Sequence, residues 1–281
     1  MEVILIDMSS FRLLALDLDD TLLRSDLTIS YHTRNTIKRT EAAGITVVLA
    51  SGRAPAALEH YVHLLGMDKL KGYIISNNGA LVQESNTGKI IHEARITPEI
   101  ALQVCDIVDS EGFPVQLYED DIMYVSRQNE YTAYDQRVTG LRQVVVENFR
   151  AMVGQGCYKL NIPGDPMILG NVENFLRANF YKEITIFSSR PYFLEILPPN
   201  TNKGTSLAKI AEIIGIGPQE CMAIGDSMND EAMLRWAGFG VAMVNGDPQI
   251  KTIADLITDY SNDDDGVAEI IDTYILKKGQ A

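Results

Sequence analysis

The sequence predicts an α/β protein built on a doubly wound parallel sheet, with an α+β domain inserted into it. Two observations predict this class. In the first and last thirds of the 281-residue chain, apolar β-rich runs alternate with helix patterns, which is typical of a parallel sheet with helices on both faces. The middle third has hairpin signals and runs of alternating polarity instead, which indicates a separate α+β module.

The first part of the predicted core is bounded by recognisable caps and breakers. Ser30 is a candidate N-cap, and Gly44 and Gly66 each follow the end of a helix pattern. Pro55 stands in a first helical turn, a position that proline tolerates. In chain order, the predicted elements are strand Leu13–Leu18, helix His32–Ala43, strand Ile45–Ala50, helix Pro55–Leu65 and strand Tyr73–Ser76.

The inserted part begins with Asn77-Asn78-Gly79 between two apolar runs, which is a hairpin signal. We favour a turn there, and we keep Asn78 as a candidate substrate contact because the chain enters the insertion at this point. The predicted elements that follow are helix Pro98–Ser110 and strands Val115–Tyr118, Ile122–Val125, Tyr158–Ile162 and Ile184–Phe187, with two more helices between them.

The first pattern returns from about Tyr192. The predicted elements are strand Phe193–Leu197, helix Lys203–Ile214, strand Met222–Gly225, helix Met228–Trp236 and strand Phe239–Met243. We therefore predict a core formed by residues 1–82 and 191–281, and an inserted domain formed by residues 83–190.

Composition limits the function classes. Lys and Arg number 24 against 38 Asp and Glu, so the net charge is −14, which makes nucleic acids and anionic membranes poor partners. The apolar fraction of 46% excludes a disordered chain. Because the chain is acidic overall, an anionic substrate requires a local cation at its binding site.

The sequence also predicts a location. No apolar run approaches the roughly 20 residues of a spanning helix, and Met1–Ser10 lacks the basic region of a secretory leader. Met1 and Met8 remain alternative starts. The three widely spaced cysteines form no pairing pattern, which favours a reducing cytoplasm. We expect a monomer or small homo-oligomer.

Four polar clusters lie where the predicted strands end or a following helix begins. They are Asp17-Leu18-Asp19-Asp20-Thr21, Ser51-Gly52-Arg53, Lys203-Gly204 and Gly225-Asp226-Ser227-Met228-Asn229-Asp230. Ligands of open α/β sheets bind outside the carboxyl ends of the strands, so this fold brings the four clusters together.

The acidic residues of these clusters predict a metal. Asp17, Asp19, Asp226 and Asp230 would lie close together, and neighbouring carboxylates raise each other's pKa values unless a cation is present. Oxygen ligands and an anionic substrate favour Mg²⁺. Together, the positive charges of this ion and of Lys203 would allow a phosphate to bind in this acidic cluster.

The spacing of Asp17 and Asp19 suits phosphoryl transfer. An ionised carboxylate can attack phosphorus, and a second carboxyl can protonate the leaving oxygen and later deprotonate a water. If the strand continues through Asp19, both side chains share one face. Ser51 and nearby backbone amides can hold phosphoryl oxygens, while Lys203 supplies charge.

In order and context, the motifs D-L-D-D-T-L, S-G-R, N-K-G and G-D-S-M-N-D resemble those of the haloacid dehalogenase-like hydrolase superfamily, and especially its Cof-type sugar-phosphatase-like branch. The resemblance covers both halves of the Rossmann-like core and the position of the inserted cap. It implies that the cap closes over the site and selects the substrate. Asp20 departs from the glycine that many members of the branch have.

The resemblance also implies roles. Asp17 would be the nucleophile that forms an aspartyl-phosphate, and Asp19 the general acid and base. Asp17, the carbonyl of Asp19 and Asp226 would hold Mg²⁺, and Asp230 would support Lys203 or the metal shell. The implied phosphate contacts are Ser51, Gly52, Lys203 and Asn229.

Three functional hypotheses remain open at this stage. The favoured one is a Mg²⁺-dependent phosphatase acting on a small phosphorylated metabolite such as a sugar phosphate. The others are a phosphotransferase or mutase that uses the same aspartyl-phosphate, and a non-catalytic phosphoacceptor or sensor. Arg53 can either reach substrate or pair with an acid. Candidate specificity residues in the cap are Tyr118, Arg127, Tyr158 and Lys159.

Overall fold

The computed structural model describes residues 11–119 and 121–276. The expectations for Met1–Ser10, including the choice between Met1 and Met8, lie outside the described residues. The strands are β1 Leu13–Asp17, β2 Thr46–Ala50, β3 Tyr73–Ser76, β4 Leu81–Glu84, β5 Ile90–Glu93, β6 Gln116–Glu119, β7 Ile122–Val125, β8 Arg142–Val145, β9 Leu160–Pro163, β10 Thr185–Arg190, β11 Phe193–Leu197, β12 Cys221–Gly225, β13 Phe239–Ala242 and β14 Leu256–Ile257.

The helices connect these strands. They are α1 Tyr31–Ala42, α2 Ala56–Leu65, α3 Pro98–Ser110, α4 Glu130–Thr139, α5 Phe149–Val153, α6 Pro166–Phe180, α7 Lys203–Ile214, α8 Glu231–Trp236, α9 Pro248–Ile253 and α10 Gly266–Ile271. Short helical turns occupy Leu18–Leu22, Asn77–Gly79, Pro218–Glu220, Met228–Asp230, Asn262–Asp264 and Asp272–Leu276.

In the described part of the chain, the larger sheet has the strand order β14-β13-β12-β1-β2-β3-β4-β5. The strands from β14 to β3 are parallel, and β4 and β5 extend the sheet antiparallel. The α/β class predicted from the sequence is confirmed. The chain leaves β1 toward β2 first and returns on its other side at β12, so the order reverses at β1.

Both faces of this sheet are buried, as the continuous apolar strands predict. Leu14 and Leu16 of β1 pack with α1, α2 and α10. Leu13 and Ala15 point to the opposite face and pack with α7, α8 and α9. The alternation along β1 therefore places the strand between two helix layers.

The predicted helix ends are also found. The Ser30 side chain accepts a hydrogen bond of 2.9 Å from the Thr33 backbone amide, capping α1. Gly66 ends α2 with a φ of 84°, a left-handed conformation that glycine adopts without a steric penalty.

The second sheet has the strand order β10-β11-β9-β6-β7-β8 in the described residues. Helices α3, α5 and α6 pack with its strands around a separate hydrophobic core, which includes Leu160 and Ile162 of β9 and Leu194 and Ile196 of β11. We call this sheet and helices α3 to α6 the cap.

The sheets place two segments differently from the sequence-based expectation. Phe193–Leu197 is a strand as predicted, but it pairs with β9 and β10 in the cap. The reason is local, because a two-residue turn joins it to β10 and favours an antiparallel hairpin. Residues 81–93 join the larger sheet through the turn at Asn78. The division at residues 83 and 190 stays a prediction.

Two further details differ from the predicted elements. The Met228–Trp236 helix is a short turn at Met228–Asp230 followed by α8, because the Asp230 carboxylate caps the preceding turn. Strand β8 and helix α5 had not been predicted individually.

Among residues 11–119 and 121–276, every helix is too short or too polar to cross a membrane.

Candidate active site

The carboxyl ends of three neighbouring strands meet at one edge of the larger sheet. β1 lies between β2 and β12 and runs parallel to both. Asp17 ends β1, Ser51 follows β2 and Asp226 follows β12. The order reversal at β1 creates the crevice in which such sheets bind ligands. The structure therefore brings together the clusters that the sequence predicted would meet.

Lys203 lies at the centre of this edge. Its Nζ atom is 2.5 Å from Oδ1 of Asp17 and 2.6 Å from Oδ1 of Asp230. The side chains of Lys203 and Asp230 are fully buried, and Asp17 is 6% exposed. One ammonium group therefore holds two carboxylates that are far apart in the sequence.

Two glycines allow the backbone approaches that place Lys203. A Cβ atom on Gly204 would lie 2.2 Å from the carbonyl oxygen of Ala232, so α7 and α8 approach closely only with glycine at this position. Gly79 has a φ of 107°, and a Cβ atom there would lie 2.4 Å from the carbonyl oxygen of Asn202. The turn at Asn78 is therefore packed directly against the start of α7.

Asp230 orients both Lys203 and the turn after β12. While Oδ1 accepts from Lys203, Oδ2 accepts from the backbone amides of Asp226 and Ser227 at 3.1 and 3.2 Å. Both of its oxygens are therefore engaged by the protein itself. Two roles were considered for Asp230, supporting Lys203 and supporting the metal shell. This arrangement favours the first role.

The carboxylates carry more negative charge than Lys203 can balance. Burial, followed by repulsion from Asp230, raises the pKa of Asp17 to about 7, although Lys203 opposes the shift. Burial and the neighbouring Asp17 and Asp230 raise the pKa of Asp226 to about 9. Burial opposes the charge on Lys203, yet the two aspartates raise its pKa.

These residues fit a divalent cation. Asp17, Asp226 and Asp230 each offer a carboxylate oxygen, and these oxygens lie within 4.8 Å of one another. Three carboxylates face one ammonium group, and all the donors are oxygens, which is the set that Mg²⁺ prefers. Since Asp230 is engaged by Lys203 and two amides, Asp17 and Asp226 are the side chains best placed to hold the ion.

Asp19 lies in a different setting from Asp17. The predicted strand Leu13–Leu18 ends one residue earlier, at Asp17, so the condition that the strand continues through Asp19 is not met. Leu18–Leu22 forms a helical turn in which Asp19 keeps extended angles. Its carboxylate is 44% exposed and accepts two hydrogen bonds from the Arg53 guanidinium, at 2.9 and 2.5 Å. Arg53 therefore pairs with an acid in this structure.

Asp20 stands where many members of the branch have glycine, and its backbone has the conformation that glycine favours. Asp20 has a φ of 58°, which is the left-handed region favoured by glycine and tolerated by aspartate. Its carboxylate lies 3.2 Å from Nη2 of Arg190 at the end of β10. The residue at this position therefore makes a contact with the cap that glycine could not make.

The predicted turn at Asn78 is confirmed, and it carries a polar network. Asn78 accepts from Nδ2 of Asn229 at 3.1 Å and donates to Oε2 of Glu195 at 2.9 Å. A Cβ atom on Gly52 would lie 3.0 Å from the Asn78 amide. Ser51, which is fully buried, accepts through Oγ from the Arg53 backbone amide at 3.1 Å. The candidate phosphate contacts therefore lie side by side.

The structure separates the four candidate specificity residues. Nζ of Lys159 donates to the carbonyl oxygen of Gly52 at 2.9 Å and lies 5.0 Å from the centre of the Tyr118 ring. Arg127 instead donates to the carbonyl oxygen of Phe113. Tyr158 donates to Glu93, where the chain enters the cap.

Sequence reasoning gave no role to two residues at this site. Thr21 donates from Oγ1 to Oδ1 of Asp226 at 3.2 Å, and its place four residues after Asp17 was the available signal. Glu195 lies 2.9 Å from Nζ of Lys159 and is 6% exposed. An acidic residue in the middle of the apolar strand Phe-Leu-Glu-Ile-Leu was a signal that we did not use.

Comparison with known proteins agrees with this geometry. A 5-amino-6-(5-phospho-D-ribitylamino)uracil phosphatase of Bacillus subtilis, YcsE, is 31% identical over 280 residues, which cover 94% of this chain and 96% of the relative. An HMP-PP phosphatase of Enterobacter sp. (strain 638) is 29% identical and covers 85% of this chain and 86% of the relative.

A solved structure gives the same result. A haloacid dehalogenase-like hydrolase from Bacteroides thetaiotaomicron has a TM-score of 0.85 and 32% identity, covering 94% of this chain and 99% of that one. The model of the family described as haloacid dehalogenase-like hydrolase matches residues 14–271. The resemblance seen in the four motifs is thus confirmed, and the chain belongs to the haloacid dehalogenase-like hydrolases, an enzyme family in which both of these curated relatives are phosphatases.

Proposed function

We propose that this protein is a Mg²⁺-dependent phosphatase that hydrolyses a small phosphorylated metabolite through an aspartyl-phosphate on Asp17. The observation that carries the proposal is the buried cluster at the end of β1, in which Lys203 bridges Asp17 and Asp230. Asp19 follows two residues later. A nucleophilic carboxylate, a second acid and a fixed cation are the parts that phosphoryl transfer requires.

In the first step, an oxygen of Asp17 forms a bond to phosphorus, and the bond from phosphorus to the ester oxygen breaks. Asp19 donates its proton to that leaving oxygen, so the alcohol departs neutral. Both oxygens of Asp19 accept from Arg53 in the free protein, so we propose that Arg53 holds this residue at the mouth of the site and that Asp19 leaves Arg53 before it carries the proton.

In the second step, Asp19 accepts a proton from a water molecule while the water oxygen bonds to phosphorus. The bond from phosphorus to Asp17 then breaks, which restores the carboxylate and releases phosphate. Ser51, the amide of Gly52, Asn229 and Lys203 would hold the phosphoryl oxygens throughout. Asp17, Asp226 and the backbone carbonyl of Asp19 would hold Mg²⁺, which would supply positive charge to balance the phosphate and the carboxylates.

The site and the relatives also support a proposal for the substrate class. A buried, acidic site of this kind admits phosphate when cations balance its charge, and we propose a sugar or polyol phosphate. The name of the Bacillus subtilis relative describes a phosphate on a ribityl chain, which is a polyol.

We extend the proposal to a cytoplasmic location because the three cysteines are buried free thiols. A monomer or small homo-oligomer remains our expectation.

Phosphate release from a panel of sugar phosphates, nucleotides, flavin mononucleotide and pyridoxal phosphate tests the proposal. We expect turnover with Mg²⁺, none with chelator, and a loss of at least about 10³-fold in Asp17→Asn. Asp20→Asn is the matched control, because asparagine also tolerates its left-handed backbone, and it should keep a rate near that of the wild type. Full Mg²⁺-dependent activity in Asp17→Asn would show that the nucleophile is assigned wrongly.

The metal assignment has a test that does not depend on activity. Mg²⁺ should raise the melting temperature of the wild type through binding to the folded state, and Asp226→Asn should lose most of this rise. Without Mg²⁺ at pH 7, Asp226→Asn should melt higher than the wild type, because the pKa of Asp226, raised to about 9 chiefly by burial, means that this carboxyl must take up a proton when the chain folds at pH 7. Equal Mg²⁺ shifts in both proteins would remove Asp226 from the metal site.

A further inference from the structure

One face of the cap sheet is polar and yet buried. Leu160 and Ile162 of β9 point into the cap's hydrophobic core, so Lys159 and Asn161 lie on the opposite face. In the strand register, Asn161 is paired with Glu195 on one side and with Gln116 on the other. These polar side chains are each less than 10% exposed. The proposed chemistry of the core uses none of them.

This polar face contacts the phosphate end of the core site. Lys159 forms an ion pair of 2.9 Å with Glu195 and donates to the carbonyl oxygen of Gly52, the residue after Ser51. Glu195 also accepts from Asn78. Burying an ion pair loses hydration that its attraction only partly replaces. Stability alone therefore does not account for an ion pair placed here.

A second observation comes from Asn161. Its Nδ2 atom donates to Oε1 of Gln116 at 2.7 Å and to the Tyr118 hydroxyl at 3.0 Å. Its Oδ1 atom is buried and has no hydrogen-bond partner among the described residues. Buried polar atoms are normally paired, so this face lacks a hydrogen-bond donor.

We propose that Lys159 and Glu195, with Asn161 beside them, select the leaving group by binding its hydroxyls; this inference rests on the proposed function. A hydroxyl both donates and accepts, so it can accept from Lys159 while donating to Glu195 or Asn161. In the substrate complex, a hydroxyl takes the place of the Gly52 carbonyl as an acceptor for Lys159. An anionic leaving group would be repelled by Glu195, and an apolar one would leave Oδ1 of Asn161 without a donor and offer Lys159 no acceptor in place of the Gly52 carbonyl.

Two esters of equal chain length test this assignment: sorbitol 6-phosphate, whose leaving group carries hydroxyls, and hexyl phosphate, whose leaving group carries none. In Mg²⁺, the wild type should prefer sorbitol 6-phosphate by at least about 100-fold in kcat/KM, because a site built for hydroxyls rejects a ligand that lacks them. This ratio needs no variant, so it tests the inference even if a substituted cap fails to fold.

Variants of Lys159 and Glu195 test whether these two residues cause the preference for sorbitol 6-phosphate. Lys159→Met and Glu195→Gln should each reduce the ratio of kcat/KM between the two esters by about 10- to 100-fold. Lys182→Met, which removes an exposed lysine of the cap, should leave the ratio unchanged. Equal losses on both esters would mean that the pair only holds the cap in place, and would overturn the inference.

The two proposals fail in different ways. If the wild type hydrolyses both esters equally well, or prefers hexyl phosphate, the phosphatase assignment stands and the hydroxyl-selecting role is wrong. If the wild type releases phosphate from no ester in the wider panel, the proposed function fails and this inference fails with it.

Discussion

Replacing Lys203 with methionine removes the only side chain described as an ion-pair partner for Asp17 and Asp230 among residues 11–119 and 121–276. Both carboxylates would remain buried beside Asp226, with no ammonium group to balance them. Breaking a buried ion pair by removing one partner costs about 3–5 kcal/mol. Methionine has a similar length, so the loss comes from charge more than from packing.

Urea unfolding at pH 7 in the presence of chelator measures this loss. With an m-value of about 3 kcal/mol per molar urea, the midpoint should fall by about 1–1.7 M in Lys203→Met. Lys209→Met is the matched control on the same helix. Lys209 is only half-buried and contacts His92 at 2.6 Å, so we expect a change of at most about 1 kcal/mol in the free energy of unfolding.

A double variant separates charge from packing. If unpaired carboxylates cause the loss, Asp230→Asn should be less destabilising in the Lys203→Met background than in the wild type, with a coupling energy above about 1 kcal/mol. A loss below about 1 kcal/mol in Lys203→Met, or simple additivity in the double variant, would refute the reasoning that this ammonium group balances two buried charges.

Two other predictions concern pH and backbone shape. Burial raises the pKa of Glu41 to about 7 from an ordinary 4.5; the folded state then holds a proton that the unfolded chain has released, so this residue's contribution to stability falls as the pH rises through that window. Glu41→Gln should therefore raise the melting temperature at pH 8 and not at pH 5, whereas a similar rise at both pH values would contradict the assignment. Gly79→Ala should cost about 2–5 kcal/mol in urea unfolding, from left-handed strain and from overpacking against Asn202. Gly88→Ala, at a φ of 68° in open space, should cost only the strain of about 1–2 kcal/mol, and equal costs would argue against the close contact.

Much of the core could be predicted from local patterns. Strand β3 and helix α7 begin and end at the predicted residues, since apolar runs and capping residues act over a few positions. Local patterns do not predict which sheet a strand joins, because strand pairing depends on neighbours that are distant in sequence. Phe193–Leu197 was predicted as a strand within the core range, and it pairs with β9 in the cap sheet; an apolar strand buried in either sheet has the same pattern.

The same distinction holds at the site. The sequence by itself determined which chemical groups are present: two aspartates after one strand, a lysine at a helix start and an acidic turn after another strand. Parallel strands bring such ends to one edge, so the meeting of these groups followed from the fold class.

Only the tertiary structure decided which group each side chain contacts. Lys203 bridges two aspartates, Arg53 engages Asp19, and Lys159 reaches from the cap to Gly52. Such contacts depend on how α7, the β2 loop and the cap are packed in three dimensions. Hydrogen bonds and ion pairs require positions accurate to a few tenths of an ångström, and spacing along a chain does not carry that information.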